Sequence, residues 1–440
     1  MTTGVLVAVR GAAEAELVGH LDAAGTGTRV VRRCADVAEV LAAGLAGLGG
    51  VAVVSADHAG LDRTVVTRLA GAGVRTVLVA AAEDEPRCLG LGAAAVLDAA
   101  GDPAQWAAAV RDVAATVEHA DGAPVVPSPG ARPTPEVTEA GEPDAGAVPA
   151  APATAPPGRL VVVWGPRGSP GRTSVAVDLV HELATTGPAL LIDADTEAPS
   201  VAQVLGLLDE TAGIAAAARL AGSGRLDATA FAGLCVTVAD GVRLLTGLTR
   251  ADRWRELPTA ALDVVWERAR EAAAWTVVDV AAGIEDAPGG FESAFAPRRH
   301  QATLAALAAA DVVLVVGAGE PVGMHRLVLA LQELADAGVT SATARRLVVV
   351  NRVRSSAAGA GAEQAVVESL ARFAGVTDAV LVPDDRPAFD RAVLRGVTLA
   401  VAAPASPARD AVRELAARVA DRPVARRTRR LARLGRAGRA

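Results

Sequence analysis

Short apolar-rich runs recur through the first 115 residues: "GVLVAV" (4–9), "TRVVRRC" (28–34), "GVAVVSAD" (50–57), "RTVLVAA" (75–81) and "AAVLDA" (94–99). Stretches rich in Ala and Leu separate them. Strands alternating with helical patterns predict a parallel sheet covered by helices, because a parallel strand needs a crossover to return the chain. The rhythm resumes on a larger scale beyond residue 158, with buried-strand patterns at 160–164, 189–193, 275–280, 312–316, 346–351 and 379–383. Ahead of the third of these, Leu262, Val265, Trp266 and Ala269 follow the 3.6-residue period, and Pro258 suits the start of the helix they predict.

Between the two patterns, residues 121–158 hold ten of the 25 prolines together with Gly, Ala, Thr and Glu. A segment so poor in large apolar groups cannot offset its ordering entropy, which predicts an extended linker. A length of 440 residues also argues for more than one domain. The expected organisation is α/β throughout: a flavodoxin-like parallel-sheet domain over 1–120, a linker over 121–158, a larger and mostly parallel α/β domain over 159–421, and a tail over 422–440.

Composition narrows the chemistry. The chain is 51% hydrophobic but only 2% aromatic, so its cores are expected to be built from small aliphatic side chains. Lysine is absent and all 43 basic residues are arginine. That excludes Schiff-base lysine chemistry and weakens any argument from one Arg-for-Lys exchange. Cys34, Cys88 and Cys235 are isolated, with no zinc spacing, which suits a reducing compartment. The six histidines are scattered and form no HExxH. The N-terminus lacks the pattern of a signal peptide. The apolar stretch 303–319 is interrupted by Asp311 and falls short of a membrane span. The expectation is a soluble, cytoplasmic protein without a transmembrane segment. The net charge of −7 hides an asymmetry, because residues 426–439 carry seven arginines and no acid. Such a tail can adhere to anionic lipid, nucleic acid or an acidic partner. Its Leu431 and Leu434 are too few for deep insertion into a bilayer.

Four strand ends carry candidate chemistry. Residues 161–174, "VVVWGPRGSPGRTS", run from an apolar strand through a Gly/Pro turn into a helix start. A phosphate-binding loop converges backbone N–H groups on an anion at a helix mouth, and its usual string is GxxxxGK[ST]. Here Pro166 stands at the first glycine's place and Arg172 at the lysine's. Gly168 and Gly171 keep the tight turn around Ser169 and Pro170, and Thr173, followed by Ser174, keeps the hydroxyl that binds Mg²⁺. Arg172 can neutralise phosphate in a bulkier, bidentate geometry; the alternative is a Gly/Pro turn with incidental arginines. In "LLIDADTEAP", Asp193 and Asp195 end the next strand, at the edge where ligands bind in open α/β sheets. A DxD there points to Mg²⁺ and water positioning. In "TVVDVAAGIE", Asp279 ends a strand as a Walker-B acid does, and Gly283 follows where a backbone N–H could meet a terminal phosphate. In "LVVVNRVR", Asn351 offers a donor and an acceptor to a base edge. Arg298 and Arg299 read equally well as a helix-flanking basic pair and as phosphate contacts, and stand outside this set.

The N-terminal pattern resembles a response-regulator receiver domain. Receiver phosphorylation needs an acid cluster after the first strand, an aspartate ending the third and a lysine after the fifth. Here "RGAAEA" and "DAAGD" follow the first and fifth strands, and Asp57 reads as a strand-end cap. The resemblance is therefore to a degenerate receiver, an interaction or targeting module.

The four strand-end elements, in this order, resemble the MinD/ParA family of deviant-Walker ATPases. The family's KGGxGKT falls on Arg167–Thr173, "RGSPGRT". "DVAAGIE" matches the switch segment DSPAGIE at five of seven positions, and "VPDDRPAFDRAVLRGVTLAV" (382–401) is similar to the C-terminal "IPED…A…G" stretch. The resemblance implies ATP and Mg²⁺ as cofactors. It implies Thr173, Asp193 and Asp279 at the metal, and 168–174, Gly283, Asn351 and Pro383 at the nucleotide. Asp195, Arg172 and Arg167 would serve catalysis, with Arg167 reaching across a nucleotide-bound homodimer. The loop's arginines and prolines imply slow hydrolysis. The domain order resembles the CpaE/TadZ subfamily, implying a switch that places Flp/Tad-type pilus assembly through a pole- or membrane-associated partner, peripheral at the inner face of the membrane. DNA partition of the ParA kind, septum-site placement and a pseudo-ATPase scaffold are the alternative expectations.

Overall fold

The structure, a computed structural model, describes residues 2–118, 157–168, 171–207, 211–285, 297–359 and 361–423. Residues 121–156 of the expected 121–158 linker, the arginine-rich tail from 424 onward, and Ser169 and Pro170 lie outside the described residues.

The strands form two sheets. The first contains β1 (Thr3–Ala8), β2 (Thr28–Arg33), β3 (Val51–Ser55), β4 (Arg75–Ala80) and β5 (Ala95–Asp98). They pair in parallel in the order β2-β1-β3-β4-β5, the flavodoxin-like arrangement. Period-two alternation divides each strand between two cores. Leu6, Ala52 and Leu78 face one helix layer, while Val5, Val53 and Val77 face the other. Asp57, just past β3, is paired with Arg10 at 2.9 Å, and the Arg10 backbone N–H donates to Ser55 Oγ at 2.9 Å. A guanidinium thus stands beside the one acid at this strand end that a receiver would use.

The second sheet contains β6 (Arg159–Trp164), β7 (Ala189–Ala194), β8 (Val236–Ala239), β9 (Val242–Leu245), β10 (Trp275–Val280), β11 (Val312–Ala318), β12 (Arg345–Val353) and β13 (Val380–Pro383). Their order is β13-β12-β11-β6-β10-β7-β9-β8. All pairings are parallel except β8 with β9. That edge hairpin, turning at Asp240-Gly241, is absent from the strands expected above; its strands are four residues long and β8 is only half covered. The chain leaves β6 toward one flank, returns to insert β10 between β6 and β7, then builds the other flank from β11. β6 is therefore where the direction of winding reverses, and a crevice opens beyond its C-terminal end. Leu160, Val162 and Trp164 of β6 pack into one core and Val161 and Val163 into the other, so helices cover both faces.

The two units touch. Arg63 donates from Nε to the Ala260 carbonyl at 3.1 Å and from Nη1 to the Gly90 carbonyl at 2.8 Å. Gly90 and Gly224 meet backbone to backbone, closely enough that a Cβ on either would strike the other segment. Ala260 lies on the helix Thr259–Ala272, which leads directly into β10.

Candidate functional site

The turn after β6 enters the helix Arg172–Ala184 through Gly171, whose φ of 93° lies in the left-handed region that glycine alone adopts readily. Among the described residues no side chain caps the N-terminus of this helix. A Cβ at 171 would also collide with the Asn351 amide, since Nδ2 lies against the loop from two strands away. Asn351 is buried and its Oδ1 accepts from the Arg352 N–H at 2.9 Å. The residue expected at the base edge therefore also supports the underside of the loop.

Thr173, on the first turn, donates from Oγ1 to Asp279 Oδ2 at 2.6 Å, and lies 3.5 Å from Ser200 Oγ. Asp279, next to last in β10, is 1% exposed, and its second oxygen, Oδ1, is buried without a hydrogen-bond partner among the described residues. Burial pushes its carboxyl up to about 8, and the neighbouring Asp193 adds to the rise. An orphaned acid oxygen beside a hydroxyl, at the mouth of an uncapped helix, fits a divalent cation with an anion next to it. Among the described residues no group of three or more His, Cys, Asp or Glu side chains could hold a metal ion.

The two acids of the DxD are arranged differently from one another. Asp193 aligns with Asp279 across the sheet, but its Oδ1 accepts from the Asp195 N–H and its Oδ2 from the N–H groups of Ser200 and Val201, each at 3.1 Å. It is wholly buried, and burial raises its carboxyl to about 7. Its lone pairs are largely occupied in holding the 195–201 turn. Asp195 accepts from Glu197 and Ala198 N–H through Oδ1, and its Oδ2 lies 3.7 Å from Arg172.

Arg172 is mostly buried and donates from Nη1 to the Gly165 carbonyl at 2.8 Å. Its guanidinium spans the loop from Gly165 to Asp195. Arg167 is exposed and reaches Glu197 at 3.6 Å and Glu285 at 3.5 Å. Gly283 lies under the His300 ring, which sits 3.8 Å from both Glu197 and Glu285. Ser174 lies on the same first turn as Thr173, and Pro383 ends β13, three strands from β6.

Four further residues at this edge stand outside the sequence-based set. Arg299 donates to the Thr196 hydroxyl at 3.0 Å and carbonyl at 3.1 Å, and stacks 5.4 Å over Trp254. Glu197 and His300 complete the cluster around Gly283. Arg326, on the helix Pro321–Ala337, has its guanidinium against Gly168. The only sequence signal for Arg299 and His300 is their place just after the switch segment; none exists for Arg326. No helix among the described residues is long and apolar enough to cross a membrane.

No family model and no curated protein matches the sequence. Among solved structures, the chain is similar to a ParA family ATPase from Chlorobium tepidum TLS, at 15% identity and a TM-score of 0.49, over 59% of this chain and 98% of that one. It is also similar to the cell division ATPase MinD of Pyrococcus furiosus, at 19% identity and a TM-score of 0.45 over 60% and 99% of the two chains. A third is the septum site-determining protein MinD complexed with Mg-ADP from Pyrococcus horikoshii OT3, at 18%, 0.44, and 59% and 95%. With TM-scores below 0.5 these likenesses carry no argument, and fold and chemistry are read from the residues themselves.

Proposed function

We propose that this chain is an ATP-binding, slowly hydrolysing dimeric switch of the MinD/ParA type. The single observation that carries the reading is the pair Thr173 and Asp279: hydroxyl and carboxylate 2.6 Å apart, one acid oxygen orphaned, beneath an uncapped helix start reached through a left-handed glycine. Thr173 and Asp279 would hold Mg²⁺, which when bound would supply charge to neutralise the phosphates. Asp279 gives up its proton for this role, and Arg172 exchanges the Gly165 carbonyl for phosphate. Asp193 acts chiefly by shaping the turn that carries Asp195. Asp195, freed from Arg172, orients water, and Arg167 leaves Glu197 and Glu285 to complete the partner's site. Each arginine has a resting acceptor to leave, which agrees with slow turnover.

Calorimetry with Mg²⁺–ATP tests this. Saturable, magnesium-dependent binding is expected, lost in Asp279→Asn and in Arg172→Ala. Burial raises the Asp279 carboxyl, so cation binding there should release a proton, and the binding enthalpy should vary with the buffer's ionisation enthalpy. Binding that is unchanged in both variants would remove the loop from the site.

At the cellular level, the flavodoxin-like strand order of the first sheet supports a degenerate receiver over 1–120, joined by the 121–158 linker to a 159–421 ATPase domain. That order of parts favours CpaE/TadZ-like placement of Flp/Tad pilus assembly at the inner face of the membrane, through a pole- or membrane-associated partner. DNA partition is the second reading, favoured by the seven arginines of 426–439. Salt-dependent, sequence-independent DNA binding that vanishes on deleting 424–440 would decide for it. A scaffold reading predicts no steady turnover with partner binding intact.

A further inference from the structure

We infer that Arg326 is a phosphate-binding residue of the nucleotide site, supplying a cation and donors from a neighbouring helix beside those of the loop. This rests on the nucleotide reading above. Three other arginines surround the loop, and each is engaged. Arg172 bonds the Gly165 carbonyl and faces Asp195. Arg167 is shared between Glu197 and Glu285. Arg299 is spent on Thr196 and Trp254.

Arg326 differs from all three. It projects from the second turn of the helix that follows β11, the strand directly beside β6. Its Nη1 lies against Gly168, so close that a Cβ there would fall well inside 3.0 Å of it. The side chain is exposed, and no hydrogen bond or ion pair among the described residues engages it. A guanidinium held at the lip of an anion-binding loop without an acid partner is poised for an incoming anion. Gly168, having no Cβ, leaves room for the Arg326 guanidinium beside the loop. Arg172 must first leave the Gly165 carbonyl to reach phosphate, whereas Arg326 brings five donors with no acceptor among the described residues to leave.

The test is nucleotide affinity measured on the full chain with magnesium, using ATP, ADP and AMP, for the wild type, Arg326→Ala and Arg326→Lys. Asp279→Asn serves as the control that disables the cation seat. If Arg326 binds phosphate, Arg326→Ala should weaken ATP and ADP about tenfold or more, with AMP much less affected. Its affinity should also depend less steeply on salt concentration, and Arg326→Lys should recover much of the loss. A purely structural role would shift all three nucleotides together and leave the salt dependence alone. The inference is overturned if Arg326→Ala binds ATP within twofold of wild type while Asp279→Asn loses it; the nucleotide reading then stands. If the wild type binds no nucleotide, both fall. Unfolding midpoints within a degree or so of wild type, expected for an exposed side chain, would show that the variants are folded.

Discussion

Gly171→Ala perturbs the loop where backbone and tertiary contact constrain it together. An L-residue at φ 93° costs roughly 1–2 kcal/mol in backbone conformation alone. The new methyl would also meet Asn351 Nδ2, which is 3% exposed and has little room to retreat. Moving that amide strains its rotamer or breaks its bond to the Arg352 N–H, for about 1–3 kcal/mol more. The expected loss is on the order of 3 kcal/mol, with Mg²⁺–ATP binding abolished because the helix mouth tilts. A double-mutant cycle separates the two parts. In Gly171→Ala/Asn351→Ala the collision disappears while the backbone cost remains, so the pair should be less destabilised than the sum of the singles by at least about 1 kcal/mol. Urea midpoints followed by tryptophan fluorescence would measure it, Trp164 and Trp266 both being buried in this unit's core. Additivity to within about 0.5 kcal/mol would refute the contact between Asn351 and the loop.

Three other outcomes can be checked. Asp178, on the loop's helix, is buried and accepts from the Leu399 N–H at 2.7 Å, and burial raises its carboxyl to about 7. A raised acid stabilises the fold fully below its unfolded pKa near 3.9, and that stability, at most ~4 kcal/mol, drains away as pH climbs to about 7. Asp178→Asn should flatten the fall in melting temperature between pH 4 and 7, and an unchanged slope would contradict the assignment. Trp164 Nε1 donates to the Ala282 carbonyl at 2.9 Å inside the core; Trp164→Phe leaves that switch-segment carbonyl unpaired and should cost about 1–3 kcal/mol, read as a urea-midpoint shift. Gly224→Val should force apart the Gly90–Gly224 contact and release the first unit from the second, seen as faster amide exchange around 63–71 and 85–91 with the sheet cores unaffected.

The sequence by itself determined the strands and what stands at their ends. Apolar runs long enough for one strand, broken by Gly and acid, marked β6, β7, β10 and β12, and so put Asp193, Asp279 and Asn351 near C-terminal strand ends and Thr173 at the start of the helix after β6. That much follows from local pattern, because alternation and turn chemistry act within a few residues. The hairpin of β8 and β9 escaped because two four-residue strands at an edge bury too little to leave a clear apolar rhythm. Tertiary structure alone decided which of these ends share a crevice and what each side chain does there. Asp193 and Asp279 read alike as strand-end acids, yet three backbone amides occupy one and an orphaned oxygen marks the other. Asn351 lies 180 positions from Gly171, and Arg326 more than 150 from Gly168, and only the strand order β12-β11-β6-β10 brings them to one loop. Strand order is set by how two faces of apolar surface are buried at once, a property of the whole chain that no local stretch of residues encodes.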